Sequence, residues 1–280
     1  MVVNNKRIKR KYIRIIHHIE RSYPQVIKRA RQKGSTLPFD GKVEPFWCFA
    51  IISEMTRKVK FSENEYYHVY NRGVDKRTVF ENDSDHKRFC MLLYLCNQES
   101  PVRFDHLPEW KGSTSPELIA SVFYADNPKP LVAIGAYCLM PNHFHILVKE
   151  INDGGITKFM QKLSTAYTMY FNSGRKRSGA LFQGRFKAEH VNTDTYLKYL
   201  FAYIHLNPVK LIEPKWKVVG ILNKQKIFDF LNAYPYSSYL DYLDSSREFS
   251  KILERKKFPD YFPSRKDFKS EIADWINFDN

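Results

Sequence analysis

Apolar and polar positions settle into a regular rhythm only from Tyr66 onward. Tyr66–Asn71 is short, aromatic and β-branched, and Arg72-Gly73 breaks it, so it reads as a strand. Asp83–Gln98 has apolar residues at Phe89, Leu92, Leu93 and Cys96 behind an acidic start, which predicts a helix capped by Asp83 or Ser84. Residues 99–130 are punctuated by prolines and read as an irregular insertion. Leu131–Leu139 is a near-continuous apolar run, the pattern of a buried central strand. Met140-Pro141-Asn142 is a turn, and His143–Lys149 is a second strand, antiparallel to the first because the link is so short.

Ile156–Phe171 repeats apolar residues at helical spacing (Ile156, Phe159, Met160, Leu163, Ala166, Tyr167, Tyr170). Gly179–Val191 reads as extended, interrupted at Gly184. Thr193 or Asp194 caps a last helix that Pro208 stops after Leu206. The order strand, helix, strand, strand, helix, strand predicts an α+β domain. Its βαββαβ antiparallel sheet carries helices on one face and is followed by a further helix bearing Tyr203. Residues 61–217 are expected to form this domain, with residues 218–280 as a C-terminal tail.

Charge changes the picture in one respect. The chain of 280 residues has a formal net charge of +15, which suggests a polyanionic partner. Residues 1–60 hold 15 Lys/Arg against 4 Asp/Glu, so +11 of it lies in a block with weak periodicity. That block reads as a basic nucleic-acid arm, as an unstructured extension, or as the product of a misassigned start, with translation beginning at Met55. Residues 151–217 carry a local +7, with 11 Lys/Arg against 4 acids. The apolar run Pro45 to Ile52 is far shorter than the roughly 20 residues of a membrane helix. Cys48, Cys90, Cys96 and Cys138 include no CxxC pair, which argues against a disulfide framework and fits a reducing cytosol.

Three features could carry chemistry. In His143-Phe144-His145, alternate strand residues share a face, so both imidazoles project together and can hold a divalent metal. The competing reading is a pair of ordinary strand histidines. Tyr203 and Asn207 lie one helical turn apart, where Asn207 could give a third, oxygen ligand and the Tyr203 phenolate could attack phosphorus. The competing reading is a core aromatic and a helix cap. Arg175, Lys176, Arg177, Arg185 and Lys187 fall within 13 residues, interleaved with Phe182 and Phe186, which suits phosphate contact with base stacking. A solvated basic loop would look the same.

The segments YHVYNRG (67–73), YCLMPNHFHILV (137–148), GALFQGRFKA (179–188), YLFAYIHLNPVK (199–210) and YPYSSY (234–239) resemble the REP-associated tyrosine transposases, a branch of the single-tyrosine HUH (IS200-like) superfamily. The resemblance implies a ferredoxin-like endonuclease domain in which His143 and His145 bind Mg²⁺ or Mn²⁺ and Tyr203 is the nucleophile. Asn207 falls where relatives place a polar third ligand. The helical phase of His205 turns it away from this set. The implied partner is single-stranded or hairpin DNA, with repeated extragenic palindromes as the substrate. The implied reaction is nicking and strand transfer through a 5′-phosphotyrosine. Arg175, Lys176, Arg177, Arg185 and Lys187 are the candidates for backbone contact, with Asn71 and Arg72 helping to grip the DNA. The expected location is the cytoplasm, at the nucleoid, and monomer and homodimer both fit. The alternative is a non-catalytic nucleic-acid-binding protein on the same fold.

Overall fold

The computed structural model describes residues 59–101, 114–124, 129–214, 216, 221, 223–243 and 246–276. The basic block before residue 59, with Cys48 and Met55, lies outside them, as do 102–113 and 125–128 of the proline-punctuated stretch.

Among the described residues four strands form one sheet: β1 (Tyr66–Arg72), β2 (Val132–Met140), β3 (His143–Glu150) and β4 (Lys187–Val191). Their spatial order is β2-β3-β1-β4, and every neighbouring pair is antiparallel. Helices α1 (Asp83–Leu95) and α3 (Gly155–Gly174) supply the two crossings, so the sequence order is the expected βαββαβ. All nine residues of β2 are buried, which explains its continuous apolar run: both faces of the sheet are covered.

The strand period divides the core in two. On one face Tyr67, Val69, Phe144, Ile146 and Val148 pack with Phe89 and Leu93 of α1 and with Phe159, Leu163 and Tyr167 of α3. On the other face Cys138, Leu147 and Val191 pack under helix α4 (Asp194–Leu206), through Leu197, Leu200 and Ile204. Helices α5 (Lys224–Ala233), α6 (Tyr239–Leu243) and α7 (Arg265–Ile276) follow. They bury Ile227, Leu231, Tyr242, Phe268 and Ile272 in that same second core. The described residues of the C-terminal stretch 218–280 pack on the core, and their aromatic residues form a layer over α4.

Local details depart from the sequence reading. The cap of α1 is Asn82, whose Oδ1 accepts the Asp85 N–H at 2.9 Å, one residue before the expected start. Part of the irregular stretch is a helix, α2 (Pro116–Tyr124), which buries Leu118, Ile119, Val122 and Phe123. Gly179–Val191 is strand only from Lys187. The residues before it form a loop bent at Gly184 (φ 68°), a backbone conformation that suits a residue without Cβ. The chain goes on past Pro208 as a short 3₁₀ turn, Asn207–Leu211, because proline is tolerated at the start of a helical segment.

Candidate active site

The β2–β3 hairpin sets the first part of the site. Met140 pairs with His143 across the two-residue Pro141-Asn142 turn, and Cys138 pairs with His145. Both histidines therefore face α4, while Phe144 enters the opposite core, as the alternation predicts. Their rings are perpendicular, with centroids 5.1 Å apart. Asn142 Oδ1 lies 2.6 Å from Nδ1 of His143. The Asn142 amide donates to the Lys76 carbonyl at 3.1 Å, so the oxygen is the end that meets the ring. Nδ1 of His143 is thus a donor, and its Nε2 keeps a lone pair. Burial and the neighbouring cations Lys210 and Arg72 lower the His143 pKa to about 3, so the ring is neutral near pH 7.

Helix α4 brings the tyrosine. Thr193 caps it by accepting the Tyr196 N–H at 3.2 Å. Ten residues further on, the Tyr203 ring stands edge-on to His145 at 5.6 Å and to His68 at 5.8 Å. Tyr203 is only 8% exposed. Burial pushes its phenol above the ordinary tyrosine range, and the charge of Glu189 adds to the rise, while a hydrogen bond from Asn207 pulls the other way.

Asn207 sits at the C-cap of α4, and its amide donates to the Tyr203 carbonyl at 2.9 Å. Its Oδ1 faces Lys210, whose Nζ is 3.5 Å away. The cap reading and the proximity to Tyr203 are therefore both true of Asn207. His205 faces away: it is fully buried among Tyr239, Tyr242 and Phe268, with Nε2 2.7 Å from Ser238 Oγ.

The basic residues divide by location. Arg175 bridges Glu81 at 2.8 Å and buried Asp85 at 2.5 Å, and it lies over Phe171, at the end of α3 on the opposite side of the sheet from the histidines. Arg177 is engaged with Asn172 Oδ1 and the Ala180 carbonyl. Lys176 and Arg185 are exposed. Lys187 pairs with Tyr70 on the histidine face, and Arg72 pairs with His143 at the end of β1. Asn71 is buried on the other face, where its amide donates to the Gly184 carbonyl at 3.3 Å and so holds the bent loop. Of the seven, Arg72 and Lys187 share the site's face, and Arg175, Arg177 and Asn71 hold elements together.

Four side chains of the site went unread in the sequence. His68 Nε2 is 2.9 Å from His145 Nδ1. Glu189, directly opposite His68 across β1 and β4, has Oε2 3.8 Å from His68 Nδ1. Tyr70 donates to Glu189 Oε1 at 2.9 Å, and Tyr196 to Oε2 at 3.3 Å. The available signal was the polar alternation His68-x-Tyr70 and Lys187-x-Glu189 within otherwise apolar strands.

Among the described residues no group of three or more His, Cys, Asp or Glu is arranged to hold a metal ion. The donor set that fits a divalent cation is smaller: two imidazoles on one face and the carboxamide oxygen of Asn207, which would turn from Lys210 to ligate. No helix of the described residues is long and apolar enough to cross a membrane.

A search of curated proteins finds no match to this chain. A solved structure of a REP-associated tyrosine transposase bound to a REP hairpin aligns over 70% of this chain and 89% of that one. The identity is 11% and the TM-score 0.41. Residues 118–207, the stretch holding both β3 histidines, Tyr203 and Asn207, match the model of the family described as "Transposase IS200 like", and over that stretch the chain is similar to the IS200-like transposases.

Proposed function

We propose that this protein is a DNA nickase and strand transferase that acts on single-stranded, hairpin-forming DNA inside the cell, with Tyr203 as nucleophile. The observation that carries the reading is the edge-on approach of the Tyr203 ring to His145 at 5.6 Å within one chain. The Tyr203 oxygen forms a bond to the scissile phosphorus, and the bond to the 3′-oxygen breaks. The 5′ end is left on the enzyme, and a 3′-hydroxyl is released after taking a proton. Return of a 3′-hydroxyl to the phosphotyrosine transfers the strand. His143, His145 and Asn207 would hold Mg²⁺ or Mn²⁺, which would supply charge stabilisation at the phosphate. Arg72, Lys187 and Lys210 present positive charge beside the histidines, and Lys176 and Arg185 are free to follow the backbone farther out.

A short hairpin oligonucleotide with a single-stranded flank, incubated with Mn²⁺, tests this directly. A covalent protein–DNA adduct on a denaturing gel is expected from the natural chain and from Tyr199→Phe, and none from Tyr203→Phe. An adduct that survives Tyr203→Phe overturns the assignment. The buried Tyr203 phenol favours a second reading, a binding protein that does not cleave. Hairpin binding without metal dependence and without any adduct would establish that one.

A further inference from the structure

The metal-binding role of His143 and His145 leaves a question of orientation. An imidazole ligates through one nitrogen, and the hydrogen bond made by the other decides which. For His143 the partner is Asn142. For His145 it is His68, a residue from a different strand, and behind His68 stands Glu189. All three face α4, since His68 pairs with Glu189 across β1 and β4, and Tyr70, two residues from His68, pairs with His145. His68, His145 and Glu189 are each at most 8% exposed.

One hydrogen bond and one neighbouring charge bias the protons along this chain. Glu189 Oε2, 3.8 Å from His68 Nδ1, is beyond hydrogen-bond distance, but its negative charge beside that nitrogen favours the His68 proton on Nδ1. The Nε2 of His68 is then an acceptor. At 2.9 Å it requires a proton on Nδ1 of His145, which leaves the lone pair of His145 on Nε2. His143 arrives at the same state by its separate contact with Asn142. We infer that His68 and Glu189 are positioning residues, a carboxylate–histidine relay that sets the tautomer and ring orientation of His145 so that Nε2 is presented as a ligand. Tyr70 and Tyr196 donate to the two Glu189 oxygens and hold the carboxylate at the end of the relay. Tyr196 lies on α4, so the relay also ties the helix of Tyr203 to the histidine strand. The inference rests on the metal-dependent reading above and names the groups that tune its site.

The relay is tested on the full chain with two readouts that do not involve DNA. In ¹⁵N-histidine-labelled protein without metal, long-range proton–nitrogen spectra are expected to show His68 and His145 both protonated at Nδ1. Glu189→Gln keeps an acceptor for Tyr70 but removes the charge, and the Nδ1 preference is expected to fall. With Mn²⁺ alone, His68→Ala is expected to weaken binding by about 10- to 100-fold, Glu189→Gln by less, and His143→Ala to abolish it. His68→Gln, which offers a side-chain oxygen to His145 Nδ1–H, is expected to recover part of the loss. If His68→Ala fails to fold, the spectra and Glu189→Gln decide. The relay is overturned if His145 carries its proton on Nε2. It is also overturned if His68→Ala and Glu189→Gln bind Mn²⁺ like the natural chain while His143→Ala does not. The natural chain showing the expected tautomers and Mn²⁺ binding, but no DNA adduct, would remove the proposed nuclease and leave the relay standing.

Discussion

The two faces of the central sheet are made by the same strands and serve different ends. Under α1 and α3 the strands contribute Tyr67, Val69, Phe144 and Ile146, a set with almost no polar chemistry. Under α4 they contribute His68, Tyr70, His143, His145 and Glu189, wedged between apolar residues such as Cys138 and Leu147. One residue step along β3 crosses from one regime to the other. A strand can therefore give its odd positions to chemistry and its even positions to stability, because the side-chain period is two. The site then inherits the rigidity of the core behind it without sharing its residues.

The sharpest way to break this comparison is at Phe144. It is fully buried and packs against Phe89 at 5.1 Å and Phe182 at 5.6 Å. Phe144→Ala is expected to cost about 3–5 kcal/mol, read by urea unfolding. Substituting either flanking histidine should cost far less. Comparable losses at all three positions would mean that the two faces are not separable.

The next effect is one of pH. Burial lowers the His205 pKa to about 3, so the folded protein holds it neutral, while in the unfolded chain it titrates near 6.5. The associated stability is complete above about pH 6.5. It drains as pH falls toward 3, at about 1.4 kcal/mol per pH unit. Acid titration of the unfolding midpoint in the natural chain against His205→Gln checks this. An unchanged slope in the variant would exclude His205 as the source.

The smallest effects separate the basic residues. Arg175→Ala leaves buried Asp85 without its cation and is expected to cost about 1–3 kcal/mol of stability. Arg185→Ala, at an exposed position, should leave stability unchanged and reduce the salt dependence of hairpin binding by about one contact. The reverse pattern would place the DNA path along the α3 end.

How far the sequence could be read follows from where each partner sits along the chain. His143 and His145 were legible because a strand's period is local. Tyr203 and Asn207 were legible because one helical turn is local as well. His68 and Glu189 were not, since they become neighbours only through the pairing of β1 with β4, which lie far apart in sequence. Arg175 looked like a free cation for the same reason: its partners Glu81 and Asp85 come from the start of α1. Helix α2 was hidden by flanking prolines, although Leu118, Ile119, Val122 and Phe123 already had helical spacing. Where the stretch 218–280 packs was not legible, because the apolar residues described there are spread through polar sequence and find each other only against α4.

The central position of β1 has a consequence for how the protein comes into being. β1 is made first among the described strands, yet its two neighbours are β3 and β4, the last of them to be made. A chain that has not yet been made as far as Lys187 holds the histidine pair with neither Glu189 behind it nor the tyrosine helix above it. Assembly of the histidine face is therefore tied to synthesis of β4 and α4, and a copy terminated before them would lack both Glu189 and Tyr203.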